Sequence, residues 1–299
     1  MIKSAISYTV EMPTIAEMRK FIEKSNLTVT RPTSQQRSTF GFEIHPVTKE
    51  LVSEFEGGYC LTLKQYEKKI DAKALREVLN AKYQNIEDET GVPLKRKEKD
   101  AIKDDTVLDL LPGILPTPKV VFVYYRIASK TLIVDTAETK MADNATSLLR
   151  KCIGSLEATT LYIDAAAGLT AKLAEYLHTI TLDDFIPGLK LGTTVELKHL
   201  IEGAVKYKDM KLTEDGTSVE IVDMIRDAHM YVKTIELHSG DDFLFELTDG
   251  FKMKGIKYTE FDSGERKGSH DEWLTETFYS MFKITQALGH ITSAFQVVK

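Results

Sequence analysis

The sequence predicts an α+β fold built on antiparallel sheets. Three observations carry that expectation. Strand-like alternation comes in blocks instead of alternating singly with helices, short turns such as Gly57-Gly58 join neighbouring strands, and one purely helical stretch interrupts the first block.

The elements follow in order. Residues 5–12 read as a strand, and Thr14 caps an amphipathic helix carrying Ile15, Met18, Phe21 and Ile22. Residues 40–44, 51–55 and 59–66 alternate as successive antiparallel strands, with Gly57-Gly58 as a hairpin turn. Asp71 opens a helix through Ala74, Leu75, Val78, Leu79 and Tyr83. After a polar break at 88–91, a second helix is expected from Pro93, which suits a first helical position, to Pro112, which stops it. Leu94, Ala101 and Leu108 recur every seven residues, with Ile102 beside them on the expected packed arc. The short break predicts that the two helices pack as an antiparallel hairpin.

Residues 113–118, GILPTP, cannot be helical through their prolines and read as a tip loop exposing Ile114 and Leu115. Residues 120–127 and 131–135 then pair as a β-hairpin, followed by a helix over 138–153. Beyond Leu161 the chain turns acidic. Helices are expected at 169–178 and 218–227, residues 189–204 read as helix or strand, and 205–211 read as extended. Residues 230–237, 242–247 and 251–258 form a three-stranded meander, and a long helix from His270 carries Trp273, Phe278, Met281, Phe282, Ile284 and Leu288. The domain expectation is therefore 1–70 with 119–165 as a central α+β domain, 71–118 as a helical tip domain, and 166–299 as an acidic α+β base domain with its long carboxy-terminal helix.

Lysine and arginine number 39 against 45 acidic residues, a net charge of −6. A surface for nucleic acid therefore requires segregated charge, not a basic total. MIKSAISYTVEMP has no long apolar run, and no run of eighteen apolar residues occurs, so neither export nor membrane insertion is expected and the location is read as cytoplasmic. Cys60 and Cys152 form no CxxC unit and read as small buried hydrophobes in a reducing compartment.

Familiar catalytic motifs are missing. The seven histidines build no zinc-type ligand set, and there is no phosphate-binding GxxxxGK[ST], no GxGxxG after a strand and no serine nucleophile elbow, so no cofactor or metal is expected. One pattern merits weighing: Asp184 with Glu196 and Lys198, as in magnesium-dependent nucleases where two acids hold the cation and a lysine steadies the attacked phosphate. It requires Glu196 and Lys198 on one side of a strand, whereas Thr193-Thr194 before VELKHLIEG reads equally as a capped helix, which would turn them about 200° apart. Asp135, Glu138 and Lys140 match the pattern more weakly.

Charge gives the sharper signal. In PLKRKEKDAIKDDTVLDLLP, Lys95, Lys99 and Lys103 fall four residues apart with Arg96 beside them. On one helix face each like-charge pair costs roughly 0.2–0.5 kcal/mol unless an anion relieves it. Asp100 and Asp104 offer the bland alternative, neutralising Arg96 and Lys103 within an ordinary solvated face. A second basic element, AVKYKDMKL, sets Lys206 and Lys208 on one side of a strand with Val205 and Tyr207 on the other, and Lys211 extends it. Arg126, Arg150 and Lys151 lie between the two in sequence.

These residues carry a resemblance. LKRKEKDAIKDDTVLDLLP followed by IVDTAETKMADNATSLLRKCIGSL resembles the recombination-associated RdgC family of bacteria, most closely from Pro93 to Leu156 and more weakly through EGAVKYKD, the meander and the last helix. The resemblance implies an elongated, multi-lobed, non-catalytic chain that forms a ring-shaped homodimer. The ring encircles double-stranded DNA without sequence preference and modulates RecA-dependent homologous recombination, with recombinase filaments as possible partners and the nucleoid as its place. It implies phosphate contacts from Lys95, Arg96, Lys99, Lys103, Lys206, Lys208 and Lys211. Family members carry basic and aromatic residues in the loop after LLP, where this chain has GILPTP, so an apolar dimer contact through Ile114 and Leu115 is expected instead. Asp209 and Met210 replace a more basic, amide-bearing pair, which implies weaker or more salt-sensitive binding. The rivals are a magnesium-dependent exonuclease using Asp184, Glu196 and Lys198, and a protein-interaction module docking through the apolar tip.

Overall fold

The computed structural model describes residues 1–160, 165–179, 184–199, 201, 203–210, 216–259 and 268–295. Its first half contains β1 (Ile6–Thr9), α1 (Ile15–Ser25), β2 (Ser38–Glu43), β3 (Val52–Phe55), β4 (Gly58–Glu67), α2 (Ala72–Thr90), α3 (Arg96–Leu110), a 3-10 turn at Leu111–Gly113, β5 (Thr117–Arg126), β6 (Thr131–Val134), α4 (Thr139–Ile153) and β7 (Thr159–Thr160). The second half contains α5 (Ala165–Thr179), β8 (Lys190–His199), β9 (Gly203–Tyr207), α6 (Thr217–Arg226), β10 (Tyr231–Ser239), β11 (Phe243–Thr248), β12 (Met253–Tyr258) and α7 (His270–Ala294). The fold is α+β, with two antiparallel sheets and seven helices among the described residues.

The first sheet runs β2-β4-β5-β6-β1-β7, with β3 also on β4. Its spine is β4, which pairs with β5 from Gly58↔Arg126 to Glu67↔Thr117 and shares its other edge between β3 and β2. Gly58 permits that start, because a Cβ there would collide with the Tyr125 carbonyl oxygen. Alternation then sends Tyr59, Leu61, Leu63, Val121, Val123 and Tyr125 to one face, under α1 and α4. Helix α1 starts where Thr14 and Glu17 form a reciprocal capping box, and it buries Met18 and Ile22. Helix α4 buries Met141, Ala142, Ala145, Leu148, Leu149 and Cys152, the three-and-four spacing of one helical face.

The intervening residues Cys60, Tyr124 and Ile133 point to the opposite face and join a larger core with α7 and the second sheet, β12-β11-β10-β8-β9. Backbone bonds lace the amino terminus to β12: Ala5 and Met253 exchange bonds of 2.9 and 3.0 Å, and Ile256 N donates to Lys3 O at 3.0 Å. Arg126 donates to Thr285 Oγ1 on α7 at 2.7 Å. No helix among the described residues is long and apolar enough to cross a membrane.

The sequence leaves residues 189–204 open between helix and strand; 190–199 are a strand, because Val195 and Leu197 pack inward while β10 and β9 bind both edges. One expectation needs correction. Helix α3 starts at Arg96, not Pro93, and its buried arc is rotated. Ala101 is exposed and Leu108 is 52% exposed, whereas Thr106 is buried and Ile102 and Leu110 are half-buried. Contacts with α2 set that rotation: Lys82 Nζ donates to Thr106 Oγ1, Tyr83 OH to Lys99 O, and Leu94 N to Glu87 Oε1, each at 2.9 Å.

Candidate nucleic-acid interface

The basic run divides according to which face of α3 each side chain occupies. Lys95 is the N-cap residue, its backbone N–H donating to Glu98 Oε2 at 2.7 Å. Lys95, Arg96, Lys97 and Lys103 are exposed and make no ion pair within 4 Å among the described residues. The neutralisation of Arg96 by Asp100 and of Lys103 by Asp104 is therefore not formed. Lys99 turns instead towards α2, 3.4 Å from Glu87 Oε1 and 5.3 Å from the centre of the Tyr83 ring. The Leu94 amide, and beyond it the Lys99 charge, hold the Glu87 carboxyl below its ordinary range. Lys99 thus joins two helices, and the free stripe is Lys95, Arg96, Lys97 and Lys103.

Three of those four cations sit at the amino end of α3, where unpaired backbone N–H groups already make the helix positive. Only Glu98 opposes them in the first turn. An approaching phosphate therefore meets side-chain charge and helix dipole with the same sign. Lys97 lies off the i, i+4 stripe that spacing singles out, but the unbroken KRK run contains it.

The second basic element is shorter than expected. β9 forms the edge of the second sheet and ends at Tyr207, and Asp209 adopts a left-handed φ of 51°, so the regular strand stops before Lys208. Lys206 stands opposite Glu196 on β8, and its Nζ reaches Glu246 Oε1 at 3.4 Å. Lys208 is exposed, and Lys211 lies outside the described residues. Arg126 is half-buried and donates to Thr285 Oγ1, whereas Arg150 is exposed and donates to Leu156 O at 3.5 Å. No hydrogen bond or ion pair joins α3 to β9 among the described residues.

The nuclease pattern is half assembled. On β8, Glu196 and Lys198 do share the outer face, as that chemistry requires. Glu196, however, pairs with Lys233 at 3.3 Å, while Asp184 accepts the Gly188 amide at 2.9 Å across a turn. In the weaker match, Asp135 accepts the Lys3 and Ser4 amides at 3.2 and 3.0 Å, and Glu138 pairs with Lys119 at 2.7 Å. Burial raises the Asp135 carboxyl above its ordinary range, against those hydrogen bonds. Among the described residues no group of three His, Cys, Asp or Glu side chains is placed to hold a metal ion.

At the end of the helical excursion, Ile114 is half-buried rather than exposed, and Leu115 is 88% exposed. Both cysteines are buried free thiols, and burial pushes both thiol pKa values up. The spacing reading passed over one basic residue: Lys68, which is buried and bonded to three carbonyls. A single lysine at the end of a strand carries no signal of that role.

Known proteins match along most of this length. A family model described as "Putative exonuclease, RdgC" matches residues 1–295. The recombination-associated protein RdgC of Tolumonas auensis is 30% identical over 232 residues, 76% of this chain and 73% of that protein. Its namesake from Aeromonas hydrophila is 28% identical with the same coverage. The one from Salmonella typhimurium is 26% identical over 249 residues, 82% of this chain and 78% of its own.

Proposed function

The chain belongs to the RdgC family, and from that premise we propose that it binds double-stranded DNA without sequence preference as a ring-shaped homodimer and thereby modulates RecA-dependent homologous recombination. It acts in the cytoplasm on the nucleoid, without catalysis. The α2–α3 helical hairpin protrudes as the DNA-contacting tip. Lys95, Arg96, Lys97 and Lys103 line the ring's inner wall there, with Lys99 bracing α3 against α2 behind them, and Lys206 and Lys208 extend it at the base. Ile114 and Leu115 close the ring at its tips. One observation carries the reading: four exposed, unpaired cations gathered along α3, three of them at its positive end, in a chain whose net charge is −6. Within a ring, opposing copies of that stripe surround the duplex, and the acidic exterior keeps the assembly soluble.

Such contacts are to phosphates, so affinity falls linearly in log–log form with salt, with a slope of about −0.9 per phosphate neutralised. Anisotropy titrations of unrelated duplexes are expected to give equal affinities at any one salt concentration and a steep common slope. A flat salt dependence, or no binding at low salt, refutes the proposal.

A second reading draws on the shared outer-face placement of Glu196 and Lys198 and on the word exonuclease in the family description. It makes the chain a magnesium-dependent nuclease, with Asp184 and Glu196 as metal ligands after they exchange their present partners. Loss of end-labelled duplex in magnesium, abolished by Glu196→Ala, would establish it.

A further inference from the structure

Lys68 follows the last residue of β4 and precedes α2, where the chain leaves the first sheet for the helical excursion. Its side chain does not reach solvent. Only 3% of the residue is exposed, and Nζ donates hydrogen bonds of 2.9 Å to Thr33 O, Ser34 O and Leu111 O. An ammonium has three N–H donors and no acceptor, so these carbonyls exhaust it. Its own backbone N–H donates to Arg37 O at 2.9 Å. Leu111 O, which also accepts the Ile114 amide at 3.2 Å, stands just past the carboxyl end of α3, where the helix dipole favours a cation. One buried cation therefore ties the entry to α2, the exit from α3 and the loop before β2.

Apolar packing offers the excursion little alternative anchorage. Leu79 is the one buried residue of α2, and Thr106, a polar residue, is the one buried residue of α3. Neither helix presents the apolar stripe that seats α1 and α4 on the sheet. The angle of the pair is then set at its root, where Leu111 is buried and Lys68 is bonded.

We infer that Lys68 is a positioning residue that fixes how the α2–α3 pair leaves the first sheet, and so where Lys95, Arg96 and Lys103 are presented to DNA. The clause on DNA rests on the function proposed above; the clause on the helices does not. Burial excludes a phosphate contact by Lys68 itself.

Hydrogen exchange and duplex affinity, measured on the full chain, test it together. Lys68→Met keeps the stem and removes all three donors. Peptides covering 72–111 and 33–37 are expected to exchange roughly tenfold faster, with the first sheet and α7 unchanged. Duplex affinity is expected to fall about threefold to tenfold, with the salt slope kept within about half a unit, since a lost phosphate contact would reduce it by about one. Lys68→Gln, which keeps two donors on a shorter stem, is expected to fall between, and it serves if the methionine variant does not fold. Unchanged exchange over 72–111, acceleration spread evenly through the sheets, or failure of both variants to fold would overturn the inference. If wild-type chain binds no duplex while exchange still localises to 72–111, the positioning role stands and the DNA reading falls.

Discussion

His45 shows how a single buried side chain couples this fold to pH. Its Nδ1 accepts the Val47 and Thr48 amides, both at 3.2 Å, which assigns the proton to Nε2, and that atom is buried without a hydrogen-bond partner among the described residues. The ring lies 4.7 Å from Trp273 of α7 and 5.3 Å from Phe122 of β5, so it sits in the joint between the last helix and the first sheet. Burial, helped by the charges of His270 and Lys49, pushes its pKa down from 6.5 to about 4. The folded-state value is the lower one, so the unfolded chain takes up the proton first as pH falls. The stabilisation is complete above 6.5 and is lost on the way down to 4. Between pH 7 and pH 5 it amounts to about 2 kcal/mol. Urea midpoints should drop across that window, and His45→Gln should flatten the drop while costing stability at pH 7. A midpoint in wild type that stays level from pH 7 to pH 5 would refute this. Residue identity made the buried cysteines legible but not His45 or Lys68, because the rings of Phe122 and Trp273 that bury His45 and the carbonyls that bind Lys68 are remote in sequence.

At the scale of elements, α3 separates what sequence reveals from what packing decides. Double reversal, Lys95→Glu with Lys103→Glu, is expected to lower duplex affinity by at least tenfold at low salt and to reduce the magnitude of the salt slope by about two. Lys99→Ala should instead leave the slope nearly unchanged and weaken the α2–α3 contact by at most about 1 kcal/mol, the scale of a partly exposed ion pair. Equal effects from both variants would mean that Lys99 leaves Glu87 to bind DNA. Local chemistry sufficed for helix starts at Thr14 and Asp71, where the capping side chain lies within three residues of the amide it satisfies. It failed at Pro93 because Leu94 N is satisfied by Glu87, a residue of the preceding helix. The Leu94, Ala101 and Leu108 repeat misled for the same reason: partners on α2 choose the buried arc. Likewise β8 carries cap-like Thr193-Thr194, yet becomes a strand because β10 and β9 occupy both its edges.

For the whole molecule, sequence pattern located both sheets but not their joint, since Tyr258 OH donates to Ile2 O across 256 residues and no local signal spans that distance. The remaining question at this scale is topological. A ring that encloses DNA differs from a clamp of equal affinity in one respect only: once closed on a circle, it cannot leave by sliding. The chain is expected to elute with twice its 33.7 kDa mass. Dimers loaded on closed circular duplex at low salt should survive a high-salt wash that strips linear duplex of the same length, because screening removes the phosphate contacts and leaves only the link. Leu115, 88% exposed, is the apolar group available for closure at the tip. Leu115→Asp would set two like charges against each other at a two-fold contact. It is therefore expected to abolish the extra retention on circles while leaving the affinity for linear duplex within about twofold, since Leu115 bears no charge for a phosphate to recognise. Equal retention of wild type on circular and linear duplex would reduce the ring to an open clamp. Retention by Leu115→Asp equal to wild type would move the closing contact away from the tip.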